Sequence, residues 1–209
     1  MITLYDCATA PSPRRARILL AEKGVPHATV QVDLKSSEQL GEDFRRINPQ
    51  CTVPALVTEE GPVLTDNAAI AAYLEARFPE PALLGRTPLE KAEIAGWQAR
   101  IEQEGLMAIA EGFRNGSPAM AGRALTGPAD YAQIPALAER GVARARTFFA
   151  ALDAHLAGRD FIATGRFSLA DITAVVVVDF ARAIRLRPVD EHAELRRWRE
   201  AMQARGTMG

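Results

Sequence analysis

The chain has 209 residues and a mass of 22.7 kDa, a size that corresponds to one large domain or two small ones. Hydrophobic residues make up 48% of it and charged residues 24%, the balance of an ordinary globular protein rather than of a disordered one. With 25 basic and 26 acidic residues the formal net charge is −1. This balance excludes the excess of positive charge that is typical of proteins binding nucleic acid or an acidic membrane.

The cysteines and histidines exclude several kinds of site. The two cysteines, Cys7 and Cys51, form no C-x-x-C motif, which excludes a thioredoxin-type dithiol centre. With three histidines besides (His27, His155 and His192) the chain offers few metal ligands, and we expect no metal site. No apolar run approaches the ~20 residues that span a bilayer, and the N-terminal residues lack the features of a signal peptide. We therefore expect a cytoplasmic protein without membrane association.

Strand and helix patterns alternate in the N-terminal part of the chain. Ser12 suits the N-cap of the first helix, and Gly24 suits the position after its end. Apolar and polar residues alternate over 28–34, which is the period of a half-buried strand. Two further apolar runs flank Gly61 and Pro62 and indicate a β-hairpin. The predicted order is strand 2–7, helix 13–23, strand 28–34, helix 40–47, hairpin strands 54–58 and 63–65, and helix 67–78.

The C-terminal part of the chain has helical patterns throughout, after a proline-rich linker at 80–88. Ser168-Leu-Ala-Asp171 is a capping-box pattern. The residues that follow, which include four consecutive valines at 175–178, are apolar nearly all round, so we expect this helix at the centre of the helical part. Because valine is a poor helix former, a strand is the competing interpretation. The predicted helices are 89–113, 135–156, 168–186 and 190–204.

Short motifs follow one another along the chain in a characteristic order: Leu4-Tyr5, Ser12-Pro13-Arg14, Asn48-Pro49, Val53-Pro54, Asp66-Asn67-Ala68-Ala69-Ile70 and Ser168-x-x-Asp171. Over almost the whole chain, their order and spacing resemble those of the cytosolic glutathione S-transferases, in particular bacterial members of the serine-type, theta-like and nu-like classes. The resemblance implies a thioredoxin-like α/β domain at 1–79 that binds glutathione, a linker at 80–88, and an all-α C-terminal domain at 89–209.

The resemblance implies that the loop before the first helix activates the thiol of glutathione, which reacts as a thiolate. Ser12 is the first candidate for the group that contacts the sulfur, because a helix N-terminus supplies unpaired N–H groups and the positive end of a dipole. Thr9 is the second candidate, and a plain N-cap is the alternative role of Ser12. Pro11 stands where serine-type members have the catalytic hydroxyl, and Ala10 where other bacterial members have threonine. These departures imply modest conjugating activity.

The resemblance also implies which residues hold the rest of glutathione. Val53-Pro54 resembles the cis-proline turn whose Val53 backbone binds the cysteinyl unit. Asp66 is expected to bind the γ-glutamyl ammonium, and Asn67 with the helix N–H groups its carboxylate, although either residue could be a plain N-cap. The implied glutathione-binding residues are Ser12, Gln39, Cys51, Thr52, Val53, Pro54, Asp66 and Asn67.

Other candidates carry weaker signals. Gln39 and Cys51 stand where relatives contact the glycyl carboxylate, and Cys51 could form a mixed disulfide with glutathione if it were exposed. We expect Cys7, on the first strand, to be buried and unreactive. Met107 and Phe113 are candidates for the pocket of the second substrate, although apolar residues at helical spacing are more often core.

Two basic residues, Arg14 and Arg15, follow in the first turn of the first helix. Cations there oppose the helix dipole by ~0.3–1 kcal/mol each. A nearby anion would explain their placement, and two solvated surface arginines are the alternative that we favour.

The function implied by the resemblance is that of a glutathione transferase of the detoxification type. Glutathione is the co-substrate, the second substrate is a small hydrophobic electrophile, and the partner is a second copy of the chain in a homodimer. Neither nucleic acid nor membrane is an expected partner. One alternative is a glutathione-dependent reductase of disulfides or peroxides, and another is a non-catalytic binding module. Glutathione affinity distinguishes the binding module from the two enzymes, and turnover distinguishes the enzymes from each other.

Overall fold

The computed structural model describes residues 1–208. These residues form two compact units. The first comprises Met1–Pro81 together with a short segment, Thr126–Asp130, from the middle of the chain. The second comprises Ala82–Leu125 and the described chain from Tyr131 onward.

The first unit is built on a four-stranded sheet. Its elements are β1 (Ile2–Asp6), α1 (Pro11–Glu22), β2 (His27–Gln31), a 3₁₀ turn (Glu38–Leu40), α2 (Glu42–Ile47), β3 (Ala55–Val57), β4 (Val63–Leu64) and α3 (Asn67–Arg77). The strand order is β2-β1-β3-β4. β1 pairs in parallel with β2, whereas β3 is antiparallel to both β1 and β4. The predicted thioredoxin-like order of strands and helices is confirmed, with shorter strands and a shorter second helix than predicted.

The first helix begins earlier than predicted. α1 starts at Pro11, so its N-cap is Ala10, and the prediction that Ser12 is the N-cap is wrong. Ser12 lies inside the first turn, and no side chain caps the helix. The reason is that Pro11 and Pro13 suit the start of a helix equally well, since neither has an N–H to leave unpaired and both hold φ near −65°. The end of α1 is as predicted, because Gly24 follows it with a φ of +61°.

A buried lysine at the end of α1 binds the end of α3 and the residues that follow it. The side chain of Lys23 is fully buried, and its Nζ lies 2.7 Å from a carboxylate oxygen of Glu75. The same Nζ donates hydrogen bonds to the backbone oxygens of Phe78 at 2.7 Å and Pro81 at 2.8 Å. All three acceptors surround one cation, which is the condition under which a charge can be buried in a protein.

The second unit is helical as predicted. Its elements are α4 (Pro88–Arg100), a π-helical segment (Ile101–Leu106), α5 (Met107–Gly116), a 3₁₀ turn (Pro118–Met120), α6 (Pro135–Leu156), α7 (Leu169–Phe180), a 3₁₀ turn (Ala181–Ile184), α8 (Pro188–Glu191) and α9 (Ala193–Gln203). The predicted helix at 89–113 is continuous through α4, the π-helical segment and α5. The predicted helix at 190–204 is interrupted at His192, whose backbone is extended.

The π-helical segment lies where helices approach most closely. A Cβ atom added at Gly105 would come within 2.7 Å of the Phe148 ring and 2.8 Å of Val177. Gly141 of α6 is packed as tightly, because a Cβ atom there would lie 2.5 Å from the backbone oxygen of Ala108. The glycines therefore allow α6 and α7 to pack against this part of the chain at short distance.

The valine-rich segment is a helix at the centre of the second unit, and the strand interpretation is wrong. Every side chain from Leu169 to Val178 is buried. The fully buried carboxylate of Asp171 accepts hydrogen bonds from the backbone N–H groups of Ser168 and Ile162, each at 3.0 Å. It also accepts from the Ser168 hydroxyl at 3.1 Å and from the indole N–H of Trp198 at 3.3 Å. Besides capping α7, Asp171 therefore binds the loop before this helix through Ile162 and helix α9 through Trp198.

This buried carboxylate makes the stability of the fold depend on pH. Burial raises the pKa of Asp171 to about 6, although the hydrogen bonds from Ile162 and Ser168 lower it. An aspartate in the unfolded chain titrates near pH 3.9. Between about pH 4 and about pH 6 the folded protein therefore holds a proton that the unfolded chain has lost, and its stability falls as the pH rises through that window.

We predict that the free energy of unfolding of the wild type, relative to that of Asp171→Asn, falls by about 3 kcal/mol across this window. Asparagine does not titrate, so the lost hydrogen bonds add an offset that does not vary with pH. Urea unfolding of both proteins at several values between about pH 4 and about pH 7 measures the difference. A difference that stays constant or rises with pH would contradict the prediction.

Candidate functional site

The predicted glutathione site draws mainly on three segments of the first unit: the loop from β1 to α1, the loop that precedes β3, and the start of α3. The side-chain amide of Asn67 donates a hydrogen bond of 3.2 Å to the backbone oxygen of Ser12, so the starts of α3 and α1 meet. The sheet register pairs Tyr5 with Ala55, which brings Val53-Pro54 toward the end of β1. The structure therefore brings these three segments together.

Among residues 1–208, two hydrogen-bond donors of Ser12 at the start of α1 have no acceptor: its N–H and its hydroxyl. The first N–H groups of a helix have no partner within the helix. Here the N–H of Ala10 donates to the oxygen of Cys7 at 3.0 Å, while Pro11 and Pro13 have no N–H. That leaves the N–H of Ser12. The Ser12 hydroxyl oxygen accepts a hydrogen bond of 3.2 Å from Arg15, so its own proton can be donated elsewhere.

Arg15 is not the solvated surface residue that we expected. It is 7% exposed, whereas Arg14 is half-buried. The guanidinium of Arg15 donates a hydrogen bond of 3.2 Å to the Ser12 hydroxyl oxygen, so Arg15 lies beside the first turn of α1. The N–H groups at a helix start and the helix dipole favour an anion beside Ser12.

The loop that precedes β3 is organised by a buried asparagine. The Asn48 amide donates to the backbone oxygen of Thr52 at 2.7 Å and to its hydroxyl at 3.1 Å, and it accepts from the N–H of Gln50 at 3.0 Å. Within this loop Cys51 has a φ of +55° and is 3% exposed. The condition under which Cys51 could form a mixed disulfide with glutathione is therefore not met.

Val53 presents its backbone at the end of that loop. The Val53–Pro54 peptide bond is cis, as the resemblance implies. Among the residues from 1 to 208, neither the N–H nor the C=O of Val53 has a hydrogen-bond partner. Nearly all buried backbone groups in proteins are paired, so a half-buried residue with both groups unused can pair with the backbone of a bound peptide.

The start of α3 holds the acidic residue of the site. Asp66 is the N-cap of α3, and its carboxylate accepts a hydrogen bond of 2.7 Å from the N–H of Ala68. The N-cap interpretation is therefore confirmed. Asp66 is exposed, so its carboxylate is also accessible to a cation. The amide of Asn67 is bound to the backbone of α1, which fixes the position of its carbonyl oxygen.

The remaining candidate residues, Gln39, Met107 and Phe113, have no hydrogen bond to the three segments in the described part of the chain. Gln39 is buried in the 3₁₀ turn before α2, and its side-chain oxygen accepts no hydrogen bond from the described part of the chain. In the second unit Met107 is 54% exposed, and Phe113 packs edge-to-face on Phe180 with ring centroids 6.1 Å apart. Phe113 is therefore partly a core residue, in agreement with the alternative considered for it.

Cys7 is half-buried, and the prediction that it is buried is wrong. β1 ends at Asp6, so Cys7 belongs to the loop that follows rather than to the strand. Its sulfur lies 3.6 Å from the hydroxyl of Thr9, which is exposed. The two groups can exchange a hydrogen bond.

Sequence reasoning missed three residues that hold this loop: Asp6, Arg17 and Gln31. Arg17 donates to the oxygens of Asp6, Cys7 and Ala8, and Gln31 bonds both Asp6 and Ala8. A signal for Asp6 was present in the sequence. Side chains of a strand alternate between its two faces, so Asp6 shares a face with Ile2 and Leu4. A carboxylate on an apolar face needs partners.

Two of the three histidines contact backbone oxygens. A ring nitrogen of His27 lies 2.9 Å from the oxygen of Val25, and one of His155 lies 2.8 Å from that of Ile162. Between residues 1 and 208 no three side chains of the metal-binding types are grouped so that they could hold an ion. In the same range, no helix has the length and apolar character required to cross a membrane.

Comparison with known proteins identifies the family of the chain. The family model described as "Glutathione S-transferase, N-terminal domain" matches residues 9–77, and the model of the "C-terminal domain" matches residues 119–205. The chain is 32% identical to glutathione S-transferase 2 of Saccharomyces cerevisiae over 205 residues, which cover 97% of this chain and 85% of that protein.

Solved structures are similar over nearly the full length. The crystal structure of Gtt2 from Saccharomyces cerevisiae aligns with a TM-score of 0.89 and 31% identity, and the alignment covers 99% of this chain and 98% of that one. A glutathione transferase homologue from Sulfitobacter with bound glutathione aligns with a TM-score of 0.82 over 100% of this chain and 95% of that one. Its identity is 21%, so this second similarity shows the fold alone.

The different environments of the two cysteines lead to a prediction about their reactivity. We expect iodoacetamide to modify Cys7 at least about tenfold faster than it modifies Cys51. The reason is that a buried thiol reacts only after local opening of the structure. Mass spectrometry of the native protein measures both rates. The variants Cys7→Ser and Cys51→Ser identify the modified site, and labelling in urea should make the two rates similar. Equal rates in the native protein would contradict the burial of Cys51.

Proposed function

Because the chain belongs to the glutathione S-transferase family, we propose that it is an enzyme that joins the thiolate of glutathione to a small hydrophobic electrophile. The observation that carries this proposal is the start of α1, where the N–H and the hydroxyl proton of Ser12 have no acceptor within the described residues. An anion of the size of a thiolate is the ligand that such a site stabilises.

Ser12 is the residue that we assign to thiol activation, and Thr9 remains the second candidate. A free thiol has a pKa near 8.5 and is mostly protonated at pH 7. Lowering that value by one to two units requires about 1.4–2.8 kcal/mol of stabilisation that acts on the thiolate alone. Two hydrogen bonds to a charged acceptor are sufficient for this. The thiol proton leaves to solvent, the thiolate attacks the electrophile, and a carbon–sulfur bond forms as the leaving group departs.

The peptide part of glutathione is proposed to lie along the remaining segments. The unused N–H and C=O of Val53 can pair with the cysteinyl backbone, which fixes the sulfur relative to Ser12. The exposed carboxylate of Asp66 can pair with the γ-glutamyl ammonium. The second N–H of the Asn67 amide and the backbone N–H groups at the start of α3 can bind the γ-glutamyl carboxylate. Residues assigned to glutathione binding are Ser12, Gln39, Cys51, Thr52, Val53, Pro54, Asp66 and Asn67.

The other parts of the assignment rest on family membership. Met107 and Phe113 remain the candidates for contact with the electrophile. The homodimer, the cytoplasmic location and the division into domains at 1–79 and 89–209 stay predictions.

We predict that Ser12→Ala raises the pKa of bound glutathione by about one unit, equivalent to about 1.4 kcal/mol, because the hydroxyl donor is lost while the backbone N–H remains. Calorimetry gives the affinity, and thiolate absorbance as a function of pH gives the pKa. Thr9→Val is the matched control, which removes a hydroxyl from the same loop and should leave the pKa unchanged. The opposite pattern would assign the role to Thr9, and no effect of either variant would assign it to the helix N-terminus.

The same measurements separate the alternative functions. Wild-type protein that does not bind glutathione would contradict both enzyme hypotheses and leave a binding module. Wild-type protein that binds glutathione and turns over disulfides or peroxides, but not electrophiles, would be a reductase instead.

A second prediction concerns the charge of Asp66. Asparagine caps a helix about as well as aspartate, so Asp66→Asn keeps α3 intact while it removes the charge. We expect the dissociation constant of glutathione to rise about 10- to 100-fold, corresponding to ~1.5–3 kcal/mol for a hydrogen bond to a charged group. The control ligand is glutathione acetylated on its amino group, which lacks the ammonium. Wild type and variant should bind this ligand with equal dissociation constants. An equal loss of affinity for both ligands would place the ammonium elsewhere.

A further inference from the structure

A buried carboxylate lies at the point where β1 leaves the sheet. Asp6 is 1% exposed and shares the inward face of β1 with Ile2 and Leu4. One carboxylate oxygen accepts a hydrogen bond of 2.5 Å from Arg17, and the other accepts one of 2.8 Å from the side chain of Gln31. The acid is thus joined to the helix that follows it and to the neighbouring strand.

Arg17 and Gln31 extend from Asp6 to the backbone of the loop. Arg17 donates to the oxygen of Cys7 at 3.4 Å and to that of Ala8 at 3.2 Å. Gln31 accepts from the N–H of Ala8 at 3.0 Å. The N–H of Ala10 donates to the oxygen of Cys7 at 3.0 Å and closes a four-residue turn over 7–10. Side chains outside the loop therefore hold the backbone that leads directly into the first turn of α1.

Stability alone gives no reason for a charge at this position. Burying an ion pair costs desolvation that the attraction between the charges barely offsets, and apolar residues of similar size are often as stable or more so. Ile2 and Leu4 show that apolar side chains fit the inward face of β1. What an apolar residue cannot do is orient a guanidinium so that it binds loop oxygens. The charged pair therefore sets geometry that hydrophobic packing would leave undetermined.

We propose that Asp6, Arg17 and Gln31 are positioning residues that hold loop 7–10, and with it Ser12, in the geometry that stabilises the thiolate. This inference rests on the proposed function, because it assigns the network a role in the same reaction. None of the three residues is assigned a contact with glutathione. They act through the backbone of Cys7 and Ala8, which determines where α1 begins.

The decisive variant replaces the charged pair by apolar residues: Asp6→Leu with Arg17→Met. We expect this double variant to fold with stability similar to the wild type and to bind S-methylglutathione, which has no thiol, with unchanged affinity. The pKa of bound glutathione should rise by about one unit, and kcat/KM with an electrophile should fall about tenfold at neutral pH. Gln31→Met is the second variant, which keeps both charges, and we expect a shift in the same direction and of smaller size.

The matched control is another ion pair of the same unit, away from the loop, in which one of the two side chains is likewise fully buried. Lys23→Met with Glu75→Leu removes the pair between α1 and α3. We expect this control to leave the pKa of bound glutathione at the wild-type value, whatever its effect on stability. If the change in the pKa of bound glutathione were proportional to the loss of stability in all variants, the control included, the network would have a structural role only. This result would overturn the proposal.

The outcomes separate the two proposals. Folded network variants with the wild-type thiol pKa and kcat/KM would overturn the positioning role and leave the transferase assignment intact. Wild-type protein that binds glutathione without lowering the pKa of its thiol, or that does not bind it, would overturn both.

Discussion

The carboxylate of Asp6 connects three parts of the first unit that hydrophobic packing alone would leave loosely related. It joins the central strand to the first helix through Arg17 and to the neighbouring strand through Gln31. A carboxylate buried inside a protein is stable only when donors surround it. Each donor fixes the distance and the angle of a hydrogen bond to this carboxylate. Arg17 and Gln31 also bind the backbone of the loop between β1 and α1, so the conformation of the loop is defined. The site at the start of the helix depends on that conformation.

The second unit uses the same physical device for a different purpose. Asp171 is also fully buried, and its donors come from its own helix start, from the preceding loop and from Trp198 of α9. Ser168 and Ile162 are close to Asp171 in sequence, whereas Trp198 lies 27 positions away, so the carboxylate fixes the position of α9 relative to the start of α7. Burial raises the pKa of Asp171, so this arrangement couples the helical unit to pH. The chain therefore places a buried acid beside the central element of each unit, in one case next to a candidate site and in the other within the core.

At the site itself, prolines act by removing donors. Pro11 and Pro13 have no N–H, so Ser12 supplies the backbone donor of the first turn. The Ser12 oxygen accepts a hydrogen bond from Arg15, so its own proton can be donated to another group. Asn67 adds a bond from α3 to the same residue, on its backbone oxygen. The donors of this helix start therefore belong to one serine.

Local patterns of the sequence determined the order of the elements, the capped helix at Ser168 and the motifs that identify the family. Each of these depends on residues close together in the chain, whose periodicity and capping chemistry act within a few residues. The start of α1 was not decided in this way, because two prolines suit it equally. The burial of Arg15 and the partial exposure of Cys7 depend on what surrounds the helix and the loop in space. The bonds of Asp6 to Arg17 and Gln31 join residues 11 and 25 positions apart. Only the tertiary structure could bring these residues together, because a hydrogen bond requires atoms within about 3 Å and no sequence pattern encodes that distance between separate elements.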